Sequence, residues 1–252
     1  MKSHRPGERR AVPKAAKIAI IVLVVLGVVV VAADRVLAVV AENVLADKVA
    51  EQLKSREITS TGKPDATIEG FPFLTQAAGG EFQAVQVHAA GLKSQGVALT
   101  DLTVRATGVK ADVQALASGK GEVTAAKVTG TGTVPYSSIA GLLQQADLTI
   151  TAENGQIKLR TPFRVAGQTF RVVATGTVAL DNGRVRLTVT DFQADGGGLP
   201  PGAQPLLRAL ATRLSQDIAL PTLPYDLKLE RIETGNDGLT VHASALNVPL
   251  SG

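Results

Sequence analysis

The chain has 252 residues, 45% of them apolar and only 3% aromatic, with no Trp and no Cys. That is room for a sizeable domain plus a membrane segment, with a core of Val, Leu, Ile and Ala; it excludes disulfides, a Cys nucleophile, Cys-ligated metal and a lipidated N-terminal Cys. The net charge of +4 belongs to the N-terminal tail, where Lys2, Arg5, Arg9, Arg10, Lys14 and Lys17 face one acid, Glu8. The rest is close to neutral and lacks the basic stripe that phosphate backbones demand, so nucleic acid is not an expected partner.

Residues 1–17 read as a basic cytoplasmic tail. Ile18 to Ala33 (IAIIVLVVLGVVVVAA) reads as a transmembrane signal anchor, about 24 Å long as a helix against a hydrocarbon core of about 30 Å. Snorkelling of Lys17 and Arg35 would cover the mismatch. The positive flank keeps the N-terminus in the cytoplasm and places residues 34–252 outside, at the cell membrane. Val31-Ala32-Ala33 also suits a signal peptidase, so the alternative is secretion after cleavage before Asp34.

Residues 35–56 have the spacing of an amphipathic helix. Val36, Val40 and Val44 share one line, with Leu37, Ala41, Leu45, Val49 and Leu53 close by and Glu42, Asp47, Glu51 and Lys54 on the other face. The apolar stripe needs a cover, so this helix is expected to pack on the domain that follows.

From Asp65 the period becomes two. Val85 and Val87, then Leu102, Val104 and Ala106, alternate with polar residues. So do Ile157 to Val165, Val185 to Val189, and Leu239, Val241, Ala243 and Ala245. These are antiparallel strands with one wet face. Asn154-Gly155, Asp181-Asn182-Gly183 and Asn236-Asp237-Gly238 are hairpin turns, and together they suggest one extended meander. Three proline-led helices interrupt it, at Pro72 to Ala78, Pro135 to Gln145 and Pro205 to Gln216. Gly196 to Gly202 is a loop.

Little in the chain carries catalysis. His4 lies in the tail, while His88 and His242 fall on the polar phase of strands. There is no His-x-x-x-His, no Gly-x-Ser-x-Gly and no acid cluster at metal-ligand spacing. Gly119-Lys120-Gly121 lacks phosphate-loop spacing and reads as a turn. No enzyme activity and no cofactor are expected.

The most informative stretch is Ile68-Glu69-Gly70-Phe71-Pro72-Phe73-Leu74-Thr75-Gln76, followed by Gly79-Gly80 and a strand from Phe82. Read as residues alone, it is an apolar corner that either anchors a core or walls an apolar cavity. It resembles the LmeA-type phospholipid-binding proteins of actinobacterial cell envelopes. So does the layout of anchor, amphipathic helix, β-rich body and C-terminal Pro-Leu-rich helix and hairpin.

The resemblance implies an α+β fold similar to tubular lipid-binding proteins: a strongly curved antiparallel β-sheet wrapped around long helices, enclosing an apolar groove. It also implies phospholipid binding and, by the mycobacterial members, support of lipoglycan assembly beside envelope-biosynthesis proteins. The expected apolar lining is Phe71, Phe73, Leu74, Leu142, Leu143, Phe163, Leu206, Leu207 and Leu210. Arg160 and Arg164 are headgroup candidates. Two rival readings remain: a scaffolding envelope protein without a lipid cavity, and an envelope glycan or lipid hydrolase.

Overall fold

The computed structural model describes residues 14–94, 97–112, 115, 121–143, 147–165, 167–181, 183–195, 202–218 and 226–250. Most of the basic tail, Gly119-Lys120, Asn182 and the loop expected from Gly196 lie outside the described residues.

The apolar run and the helix after it form one helix, α1 (Lys14–Ser55), about 63 Å long. It is long and apolar enough to cross a membrane, with a most apolar window of mean hydropathy 2.6. Its second half packs on the domain as expected, with Ala41, Leu45, Val49 and Leu53 half-buried, but not through the valine line. Ala38 and Ala46 are the buried apolar residues there, while Val36, Val40 and Val44 stay exposed on the far side. Small side chains let the helix approach its neighbours closely, and the polar groups on that face are matched rather than excluded.

The strands form two open antiparallel sheets rather than one meander. The first is β1 (Asp65–Glu69), β2 (Glu81–Ser94), β3 (Val97–Ala111), β4 (Val123–Pro135), β10 (Lys228–Thr234) and β11 (Gly238–Pro249), in the order β1-β2-β3-β4-β11-β10. The second runs in sequence through β5 (Thr149–Glu153), β6 (Gln156–Val165), β7 (Gln168–Asp181), β8 (Arg184–Ala194) and β9 (Gln216–Ile218). The division arises because β11 returns to pair along β4, leaving no edge there for β5.

The proline-led helices are α2 (Phe73–Gly79), α3 (Tyr136–Leu142) and α4 (Ala203–Leu214). Pro72 and Pro135 are extended N-caps. Beyond α1 the helices are short, at 7, 7 and 12 residues, and the long helix borders β1 and α2. Ser138 of α3 accepts the Ala98 N–H at 3.1 Å, and Ser215 after α4 accepts the Val189 N–H at 2.8 Å, so each helix is tied to a strand.

Two apolar cores result. The larger joins the second sheet to α3, α4 and one end of the first sheet, through Ile157, Leu159, Leu187, Leu214, Val134 and Leu239. The smaller sits at the other end of the first sheet, on Ala106, Val109, Ala125, Val128 and Val248. Reaching it requires a change of phase along two strands. On β3 the apolar positions shift from Val104 and Ala106 to Val109, and on β11 from Ala245 to Val248. The residues between them, Gly108 (φ 59°) and Asn247 (φ 52°), are left-handed. Such residues re-aim a strand without breaking its pairing.

Candidate functional site

The segment singled out in the sequence runs down the side of α1. Lys63 pairs with Asp47 at 3.0 Å. The Ile68 N–H donates to Glu42 Oε1 at 2.8 Å, so α1 covers the free edge of β1. The Leu74 N–H donates to Asp34 Oδ1 at 2.8 Å. From Asp47 to Asp34 is about 20 Å of helix axis, descending to the first residue after the apolar run.

Most residues of the segment have a defined partner or conformation. Glu69 takes a two-pronged bond from Arg105, at 2.8 and 2.6 Å. That bond first, then the guanidinium charge, holds the Glu69 carboxyl below its ordinary range and raises Arg105. Gly70 has φ 102°, which disfavours any side chain, and the ends of the Gln76 and Gln83 side chains lie under 3.0 Å from where a Cβ would stand. The Phe71-Pro72 bond is cis.

Phe73 is buried with its ring 6.2 Å from Phe82. Gln76 Oε1 accepts the Gln83 N–H at 2.7 Å, while its buried Nε2 has no partner among the described residues. Asp34 is 1% exposed and holds Arg35 through Nε at 3.1 Å and Nη2 at 2.6 Å. The Arg35 guanidinium in turn lies 5.1 Å from the centre of the Phe71 ring. Phe71 itself is 61% exposed and Leu74 39%.

A second feature lies on the apolar face of the first sheet, between the two cores. On β4 that face reads Val128, Gly130, Gly132, Val134, with Thr129, Thr131 and Thr133 on the other side. Val128 belongs to the small core and Val134 to the large one, so two glycines stand where the cores would otherwise join. A Cβ at Gly130 would meet nothing within 4 Å.

The register extends this gap across the strands. Ala66, Val87, Val104, Gly130 and Ala243 form one row; Ala89, Leu102, Gly132 and Val241 form the next. Ala66, Ala89 and Ala243 are buried, and a Cβ at Gly132 would touch Leu102, but Val87, Leu102, Val104 and Val241 are only half-buried although they belong to the sheet's apolar face. The result is an apolar strip about 19 Å long from β1 to β11, beginning beside α1.

Open grooves flank α2. One of about 790 Å³ is lined by Ala77 to Glu81, Lys110 to Asp112, Glu122 and Thr124. One of about 360 Å³ is lined by Phe71, Gln76, Phe82, Gln83 and Val109. Both share the Glu81–Lys110 pair, 3.0 Å apart. The opposite face of the sheet is polar. His88 bonds Asp101 at 2.6 Å, and His242 lies among Thr131, Arg231 and Glu233. Among the described residues no group of three or more His, Cys, Asp or Glu could hold a metal ion.

The structure gathers Phe71, Phe73 and Leu74 at the α2 corner. It places Leu143 and Leu210 against the large core. Leu207 is on the buried side of α4 and also lines a groove of about 380 Å³ with Phe192 and Arg208. Leu206 is exposed on α4, and Phe163 faces Phe170 across β6 and β7. The Leu142 side chain lies outside the described residues. Arg160 bonds Thr151 at 3.0 Å and Glu153 at 3.1 Å within its own sheet; Arg164 is exposed on β6.

Sequence reasoning missed Asp34 and Glu42 as packing groups, and it missed the Gly130/Gly132 strip. Its signal was the Thr-Gly-Thr-Gly-Thr run between Val128 and Val134, where alternation persists with glycine in the apolar phase.

An apolar helix leading into an α+β domain whose sheet keeps a half-exposed apolar strip has the outline of a lipid-handling protein. The model of the LmeA-like phospholipid-binding family matches residues 32–244, and the chain belongs to that family. No curated protein matches it in sequence.

Proposed function

We propose that this is a membrane-tethered phospholipid-binding protein of the cell envelope, which holds lipid with its acyl chains on the strip between the two cores. The observation that carries this reading is Gly130 and Gly132, which leave an apolar trough across the centre of a sheet otherwise packed at both ends. Apolar residues left half-wet mid-sheet favour an apolar guest, and each CH₂ covered contributes about 0.8 kcal/mol.

α1 tethers the domain outside the cytoplasm, with the tail of residues 1–17 inside and 18–33 spanning. The role is binding and presentation or transfer rather than catalysis, in support of envelope lipoglycan assembly. Of the expected lining, Phe71, Phe73 and Leu74 serve the end of the domain next to the tether. Arg160 and Arg164 are headgroup positions on the second sheet.

Native mass spectrometry of the chain from Asp34 onward, exported and purified without detergent, tests the reading. A bound mass that dissociates as phospholipid supports it. A clean apo mass after incubation with phospholipid vesicles contradicts it and favours a scaffold.

A further inference from the structure

Resting on the membrane-tethered reading, we infer that the α2 corner is sunk into the outer leaflet of the bilayer that α1 crosses, with Phe71 and Leu74 in contact with lipid.

Ile18 to Ala33 supplies about 24 Å of apolar helix where a bilayer core needs about 30 Å. The missing 6 Å or so is four residues, Asp34 to Leu37. Taken from the sequence, that turn is a poor candidate because it opens with Asp34-Arg35. The structure removes the objection. Asp34 is 1% exposed, its carboxylate taken up by the Leu74 N–H and by Arg35. Arg35 of the turn is 47% exposed but lies over the Phe71 ring, on the domain side; away from it the turn shows Val36 and Leu37, and the exposed apolar residues continue through Val39, Val40 and Val44. On the lipid side, therefore, the apolar surface of α1 runs past Asp34 without a break.

The domain side must then be apolar at the same depth, and it is. The Leu74 N–H donates to Asp34 directly, so the N-terminus of α2 sits at the level of this turn. Phe71, its ring against the Arg35 guanidinium, is 61% exposed, and Leu74 is 39% exposed. A large exposed aromatic beside an arginine suits the boundary between acyl chains and headgroups. Phe71 also lines the groove that continues to Phe82 and Val109, with Gln76, Gln83 and the Glu81–Lys110 pair along it, so lipid entering at this corner meets both apolar and polar groups.

The chain contains no Trp, which makes the test direct. The full-length chain is reconstituted in phosphatidylcholine–phosphatidylglycerol vesicles, with or without phosphatidylcholine brominated in mid-chain. Single-Trp variants F71W and L74W are compared with L246W, at a site on β11 that is also exposed. The expected result is blue-shifted emission and bromolipid quenching for F71W and L74W, with neither for L246W. Quenching must persist in the double variant F71W/G130L, whose filled strip admits no cargo. F71W and L74W emission as red and unquenched as L246W overturns the inference, and so does quenching that G130L abolishes. Either failure leaves the lipid-binding reading standing if lipid still accompanies the wild-type chain.

Discussion

Asp34, the first residue after the apolar run, accepts a hydrogen bond from the backbone of Leu74 at 2.8 Å. The helix that receives this bond has an N-cap, Pro72, with no side-chain acceptor of its own. A carboxylate from another element therefore does the capping, favoured by the partial positive charge of a helix N-terminus. Through this bond the tether fixes the corner of the domain that carries Phe71 and Leu74.

Asp34→Ala removes both the acceptor of Leu74 and the counter-ion of Arg35. It should lower the melting temperature and expose the chain around Phe71 to limited proteolysis. Asp34→Asn, which keeps an acceptor, should fall between. Identical melting and cleavage for all three proteins would show that the junction contributes nothing.

Two glycines in different environments should respond in opposite ways. A Cβ at Gly176 would stand 2.9 Å from Leu159 Cδ1 and 3.2 Å from Leu187 Cδ1, both fully buried. Gly176→Ala should therefore cost about 1–3 kcal/mol by overpacking. At Gly130 nothing lies within 4 Å, so Gly130→Ala should be neutral or stabilise by up to about 1 kcal/mol. Urea unfolding of the two variants measures the contrast, and an equal loss at both sites would mean the strip is packed.

Acid should act on the segment through Glu69. Its carboxyl titrates below its ordinary value of 4.5 because Arg105 bonds the charged form. A carboxyl depressed on folding stabilises the protein fully above its unfolded value, and the contribution is lost as pH falls through the lower folded value. Asp217, bonded by Arg186, adds to the same limb. Stability measured from pH 7 downward should thus fall below about pH 4.5, and Glu69→Gln should make that limb shallower. An unchanged slope would show that the pair does not tighten on folding.

Tyr136 bonds the Gly235 carbonyl at 2.7 Å, fastening α3 to the β10–β11 hairpin, and burial raises its phenol above the ordinary range. Tyr136→Phe should cost about 0.5–1.5 kcal/mol, read from chemical unfolding. No change would mean that the hairpin is held by its neighbours alone.

Much of this architecture is legible in the residues. Period-two alternation marks the strands, and Pro72 and Pro135 mark helix starts to within a residue. The alternation read from the sequence stops at Ala106 and at Ala245, and in each case the strand continues past a left-handed residue into a new phase. Periodicity is blind to that step because the pairing is kept while the faces exchange.

The division into two sheets depends on β11 returning to β4, a pairing over a hundred residues apart that no local pattern encodes. The orientation of α1 was unreadable for another reason. Next to a membrane segment, exposed valines carry no penalty, so the most apolar stripe need not be the packed one. A buried Asp34 and a strand-capping Glu42 look like ordinary surface acids until their partners are placed. As for the site, the Phe71 corner stands out by composition, but a trough made of absent side chains leaves only a pair of glycines as its trace.

The most direct test of the central claim is photocrosslinking of the full-length chain in membranes with a phospholipid carrying a diazirine in its acyl chain, followed by peptide mapping. The account predicts adducts on the strands that hold Val87, Val104, Gly130 and Val241, lost in Gly130→Leu while adducts on α1 remain. Adducts confined to α1, with none on these strands in the wild-type chain, would contradict it.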